Sequence, residues 1–263
     1  MSQFQYTIVE TKNATGIIKL NRPDVYNALN AKGKFEIISA IRELNKNTQI
    51  RSIILTAEGK AFCSGQDLTD KSVNSTDGSP VDIGRVLETE WNPLIEAIRG
   101  SEKPIIAAIN GVCAGAGLSV VLATDLKVAA PKVRFISGFT QIGLAPDAGM
   151  SFTLVQALGY SRALDFSLFG KPLMSEEMQQ YGLVNEVSEN FLARAFEICD
   201  AINALPPLSV KMVKKNLHYA SKNVFAEVIA RETYAQRYLG FSQDYREGVS
   251  AFMEKRKPSF KGI

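Results

Sequence analysis

An acid set among apolar residues is the first feature of this chain that could do chemistry. In "GLAPDAGM" (143–150) Asp147 follows a proline and precedes an Ala-Gly pair. A charge in such surroundings is costly unless it is paired or used. Two glycine-containing turns, "FCSGQDL" (62–68) and "GVCAGAG" (111–117), each stand at the end of an apolar run. Small residues let backbone come close to a ligand. Peptide N–H groups at such turns, above all where a helix begins, attract negative oxygen. Two of them aimed at one atom make an oxyanion hole. A thioester needs that device when its carbonyl oxygen gains charge as the adjacent carbon loses a proton. Two plainer readings stand beside this one. Gly/Ala turns also serve packing, and Asp147 could be an N-cap, because Pro-Asp-Ala-Gly precedes the helix-like "MSFTLVQAL".

Other chemistries find little support. The single histidine, His218 in "KKNLHYAS", has no serine and acid arranged with it as a triad would need. It reads as a helix surface or packing residue. No Cys/His grouping has metal-ligand spacing. There is neither a phosphate-binding G-x-x-x-x-G-K-[ST] loop nor a G-x-G-x-x-G after a strand. The three cysteines, Cys63, Cys113 and Cys199, are sparse and odd in number, which fits a reducing, cytoplasmic setting. Cys63 has no evident base, so a small packed side chain explains it better than a catalytic thiol.

The elements that must hold these residues follow from pattern. "YTIVE" (6–10) and "GIIKL" (16–20) predict a hairpin. Asn30 is the expected N-cap of a helix over 31–46. "SIILT" and "KPIIAAING" predict buried strands. A polar segment, 70–82, reads as a mobile loop and a helix is expected around 84–99. "VCAGAGLSVVLATD" (112–125) predicts a tight turn into a buried helix. "LKVAA" and "VRFIS" predict short strands, and the chain is helical from about 190 onward. Strands alternating with helices and followed by a helical tail argue for an α/β architecture.

Whole-chain properties agree with that architecture. The 263 residues are 46% hydrophobic and 22% charged, with a net charge of +3. This is ordinary globular composition and gives no reason to expect nucleic acid. The one basic cluster, "KMVKKN" (211–216), reads as a solvated helix face. "MSQFQYTIVE" lacks the apolar stretch of a signal peptide. No window approaches the ~20 apolar residues of a membrane span.

Five segments taken together are far more specific than any one. "NRPDVYNALN", "GKAFCSGQDL", "KPIIAAINGVCAGAG", "GLAPDAG" and "DYREGVSAFMEKRKPSF" resemble, in order, the signature segments of the crotonase (enoyl-CoA hydratase/isomerase) superfamily. The details "FCSGQDL", "APDAG" and "DYREGVSAF" are most similar to its phenylacetate-pathway, 1,2-epoxyphenylacetyl-CoA isomerase branch. The resemblance implies a spiral of ββα units over residues 1–200 and a C-terminal helical trimerisation region over 201–263. It also implies a homotrimer or homohexamer and an acyl-CoA substrate. CoA is then part of the substrate, and no separate cofactor or metal is expected.

Carried over position by position, the resemblance puts the two oxyanion amides on Gln66 and Ala116. Val25, Ser64, Asp67 and Leu68 become CoA neighbours. Phe252 and Lys255 match positions that reach the CoA of an adjacent subunit, with Lys255 a natural partner for phosphate. Many relatives carry a further lysine where this chain has Thr69, and glycine where it has Met150. The two glutamates of typical hydratases fall on Ser119 and Phe139, neither of which can act as a carboxylate base. Asp147 remains, at a position where isomerase relatives carry a working aspartate.

These residues predict a one-acid isomerase in which Asp147 moves a proton on an enoyl- or ring-epoxide-CoA thioester. An enoyl-CoA hydratase with Asp147 alone activating water is the alternative. A non-catalytic acyl-CoA-binding subunit is a second one.

Overall fold

A computed structural model describes residues 4–74 and 79–263 of the chain. The loop expected over 70–82 is thus described only in part, and its residues 75–78 lie outside the described residues.

The opening hairpin forms as its β-branched runs predict: β1 (Thr7–Lys12) pairs antiparallel with β2 (Thr15–Leu20). α1 (Ala31–Lys46) follows, started by Asn30, whose side chain accepts the Gly33 N–H at 2.8 Å. That bond satisfies one of the donors a helix start leaves free.

From there the chain repeats one unit. β3 (Ser52–Ala57) lies in a large sheet, β4 (Ala61–Cys63) in a smaller one, and a helical stretch returns. That stretch is α2 (Ile83–Val86), a π-type turn at Leu87–Trp91, and α3 (Asn92–Gly100). The sequence predicts one regular helix here. Pro93, which has no N–H to donate, gives the break a local cause. The second unit is β5 (Ile105–Ile109), β6 (Val112–Ala114) and α4 (Ala116–Ala123). The third is β7 (Leu126–Ala129), β8 (Arg134–Ile136) and the helices α5 (Met150–Leu158) and α6 (Tyr160–Phe169). β9 (Leu173–Met174), α7 (Ser175–Gln180) and β10 (Glu186–Val187) complete the sheets.

The large sheet has the order β1-β2-β3-β5-β7-β10 and the small one β4-β6-β8-β9. Each unit adds one parallel strand to both sheets, which is the geometry of a ββα spiral. β5 is buried along its whole length, as a parallel strand covered on both faces should be. One face packs against α1, α3 and α4. The other meets α8 (Phe191–Asn203), through Ile54, Ile106, Ala108, Ala195 and Cys199.

α9 (Pro207–Ala220), α10 (Phe225–Gly240) and α11 (Gln243–Glu254) finish the chain. "KMVKKN" is not the solvated face its composition suggests. Lys214 is buried and pairs with Asp125 at 2.7 Å, while Lys211 and Lys215 both reach Glu102. The lysines therefore dock α9 onto the spiral. His218 lies beside the same acid, 3.9 Å from Asp125.

Candidate active site

The two glycine turns are in backbone contact. A β-carbon added to Gly65 would lie 2.9 Å from the Ala114 carbonyl oxygen and 3.3 Å from the Ala116 nitrogen. One added to Gly117 would lie 2.4 Å from the Cys63 carbonyl oxygen. Only glycine permits this approach, and Gly65 and Gly115 also have positive φ, +100° and +51°. Ala116 is the first residue of α4, so its N–H is among those the helix leaves free. Gln66 bridges Leu29 in parallel fashion: Leu29 N–H donates to Gly65 O and Asp67 N–H to Leu29 O. A parallel bridge of this pattern turns the N–H of Gln66 to the opposite edge. Ser64, Gln66, Ala114, Gly115, Ala116 and Asp147 all line one cavity of about 470 Å³.

The rest of that cavity is apolar. Val86, Leu87 and Trp91 contribute one wall, and Phe139, Ile142 and Leu144 another. Asp147 enters from a sharp turn in which Ala148 and Gly149 both have positive φ, +50° and +80°. A left-handed alanine costs of order 1–2 kcal/mol, so the turn is held by its surroundings. The Met150 N–H bonds to the Asp147 carbonyl, and α5 starts without a side-chain cap. Asp147 is therefore not an N-cap. Among the described residues its Oδ1 is a buried atom with no hydrogen-bond partner. Burial pushes its carboxyl up to about 6, against the opposing charge of Lys34.

The residues at the two hydratase acid positions are also in this region. Phe139 is buried and lines the cavity. The Ser119 hydroxyl donates to the Asp147 carbonyl at 3.1 Å, so it steadies the turn that carries the acid. Among the described residues, no three His, Cys, Asp or Glu side chains are gathered as a metal site would need.

Not every residue expected near CoA faces the cavity. Leu68 lines it and is exposed, and Val25 adjoins it, its carbonyl accepting from the Ser64 hydroxyl. The Asp67 carboxylate is instead spent inside the loop: it accepts from Arg22 at 2.8 Å and from Thr69 at 2.6 Å. Burial works against its charge, yet the Thr69 and Arg22 hydrogen bonds hold the carboxyl below the ordinary aspartate value. Thr69, standing where many relatives have lysine, thus braces the turn. Phe252 and Lys255 are far along α11 and its end, and Phe252 is 83% exposed. Neither lines the cavity of its own protomer. Met150, the first residue of α5, is fully buried and outside the lining.

Three further residues come to the site that pattern reading passed over. Lys34, Glu90 and Trp91 gather behind Gln66. The available signal was Lys34 itself, a lysine on the stripe Ile37, Ile38 and Ile41 that α1 buries. A second cavity, of about 520 Å³, lies between α9 and the ends of β5 and β7. Its lining includes His218 and Lys214 but none of the residues expected to carry the chemistry or to bind CoA.

With this geometry in place the comparisons with known proteins are specific. The profile of the family described as enoyl-CoA hydratase/isomerase matches residues 10–263. The chain belongs to that family. It is 32% identical over 260 residues to the 1,2-epoxyphenylacetyl-CoA isomerase of Escherichia coli K12, covering 98% of this chain and 99% of that one. It is 38% identical over 259 residues to a Rhodobacter capsulatus protein named for enoyl-CoA hydratase activity, covering 96% of each. An enoyl-CoA hydratase subunit from Geobacillus kaustophilus superposes over 100% of both chains with a TM-score of 0.91 at 30% identity. The fold is thus the crotonase fold, and the family acts on CoA thioesters. Isomerase and hydratase names both occur among the relatives, so the reaction must be argued from the site.

Proposed function

We propose that this enzyme is an acyl-CoA isomerase, in which Asp147 takes a proton from one carbon of an enoyl- or ring-epoxide-CoA thioester and returns it to another. The observation that carries the reading is the carboxylate of Asp147: among the described residues it is the one acid lining an apolar cavity, and its buried Oδ1 has no hydrogen-bond partner. A base whose pKa of about 6 lies close to neutrality is well matched to such a transfer. The amides of Gln66 and Ala116 would hold the thioester oxygen while it carries the enolate charge. CoA enters as part of the substrate, with Val25, Ser64 and Leu68 beside it and no separate cofactor. Apolar residues exposed on α10, on α11 and in the turn between them, among them Phe225, Phe241, Phe252 and Met253, support a homotrimer or homohexamer. In that assembly Phe252 and Lys255 would serve the CoA of a neighbour.

The hydratase reading is favoured by the names of several relatives but asks one acid to do the work of two. A substrate panel separates the readings. Wild type should isomerise 3-enoyl-CoA and exchange deuterium at the α-carbon. Asp147→Asn should lose both by about 10²–10⁴-fold. Strong hydration of crotonyl-CoA that survives Asp147→Asn would overturn the proposal. Tight thioester binding without turnover of any substrate would point instead to a non-catalytic subunit.

A further inference from the structure

α1 buries an ammonium group where its apolar stripe would accept methionine or leucine. The Lys34 side chain is 1% exposed. Its Nζ donates to Gln66 Oε1 at 2.8 Å and pairs with the Glu90 carboxylate. It also lies 4.7 Å from the centroid of the Trp91 ring, whose indole N–H donates to the same Gln66 Oε1 at 2.8 Å. Glu90 and Trp91 come from the π-type turn before α3, and such turns recur at functional sites. A buried ion pair is seldom the most stable choice for a core position, so its presence behind a cavity wall calls for another role.

We infer that Lys34 is a positioning residue of the active site: through Gln66 it fixes the first oxyanion turn, and its charge, held in place by Glu90, balances the Asp147 carboxylate across the cavity wall. This inference rests on the reading of Asp147 as the base. During proton transfer the site keeps one negative charge, which moves from Asp147 to the thioester oxygen. A fixed ammonium behind the Gln66 turn serves as counter-charge at both ends of that transfer. Among the described residues, the charges that act on Lys34 are those of Glu90, of Asp70 just beyond the first glycine turn, and of Asp147. Asp70 is already occupied, accepting the Ala31 and Ser72 N–H groups. The nearby Asp67 is met by Arg22.

The sign of the effect makes the inference testable. Removing the ammonium leaves burial unopposed, so Asp147 should hold its proton more tightly. Removing only the Glu90 charge leaves the ammonium uncompensated, so Asp147 should hold its proton less tightly. The pH profile of kcat/KM is to be compared for wild type, Lys34→Met and Glu90→Gln. In Lys34→Met the ratio of kcat/KM at pH 6 to that at pH 8 should fall about threefold or more. In Glu90→Gln it should rise. The Glu90 side chain is 19% exposed, so without its lysine partner it can turn to water, and circular dichroism checks that each protein is folded. A merely structural role would not move the acid limb in opposite directions. Limbs that coincide with wild type, or that move the same way, overturn the inference. Loss of α-carbon exchange in Asp147→Asn is the control: if exchange persists there, the reading of the base has failed rather than that of the lysine.

Discussion

At neutral pH Asp147 is held ionised in surroundings that disfavour its charge. Its carboxyl lies at about 6 in the fold, against 3.8 when exposed, because burial costs more than Lys34 returns. A carboxyl raised by folding binds its proton more readily in the native state than in the unfolded one. Its cost is therefore fully present above pH 6 and fades as the pH falls toward 3.8. The gap corresponds at most to about 3 kcal/mol, lessened because the cavity is open to water. Asp147→Asn should accordingly melt at a higher temperature than wild type at pH 8. The difference should shrink as the pH is lowered through 6. Thermal denaturation at several pH values checks this, and an equal or lower melting temperature at pH 8 would refute it. The same substitution is expected to remove activity, so the residue's cost to stability and its value to chemistry have one origin.

At the scale of elements, the proposed oxyanion wall depends on how closely β4 and α4 approach. Gly117 has no side chain because Cys63 leaves no room: a β-carbon would meet its carbonyl oxygen at 2.4 Å and its sulfur at 2.8 Å. Backbone oxygen cannot swing aside as a flexible side chain can. In Gly117→Ala the start of α4 must therefore move away from the first turn, and Ala116 with it. The convergence proposed for the amides of residues 66 and 116 would then be lost. A fall in kcat of about 10²-fold or more is expected, with KM less affected and a lower melting temperature. Steady-state kinetics against wild type decide it; unchanged kcat would show that the two turns do not share an oxygen.

Much of this element-level picture was legible in the sequence. The β-branched runs, Asn30 as a cap and the Gly/Ala opening of α4 are local signals, and local physics decides them. The resemblance supplied the order of the spiral. What pattern could not supply was tertiary. Asp147 reads as an N-cap until the left-handed pair Ala148 and Gly149 is seen to separate it from α5. Asp67 reads as a ligand-facing acid until Arg22 is found on it, 45 residues away in sequence. The Lys34–Glu90 pair joins elements more than fifty residues apart, and the π-type turn that presents Glu90 has no periodicity of its own.

The whole molecule carries a division of labour between spiral and tail. Arg51 ties the end of the chain to β3, donating to the carbonyls of Asn203 and Phe260 at 2.8 and 2.7 Å. Asp244 accepts the N–H groups of Lys261 and Gly262 and closes the terminus onto α11. α11 is thereby anchored, yet it leaves Phe252 and Met253 exposed and ends at Lys255 away from its own cavity. Apolar groups held rigidly in water gain most from burial against another copy. If the assembly is cyclic, each site would combine Asp147 of one protomer with Lys255 of the next. Two variants test this together. Lys255→Glu should raise KM for CoA thioesters, because a repelling charge replaces a phosphate partner, and should be nearly inactive at low substrate. Asp147→Asn should be inactive at any concentration. Equal amounts refolded together would form hybrids in which about a quarter of sites pair an intact acid with an intact neighbouring lysine. Activity at low substrate should return to about that fraction of wild type. A mixture no more active than its parents would mean that Lys255 serves no site across the interface, and would detach the tail from catalysis.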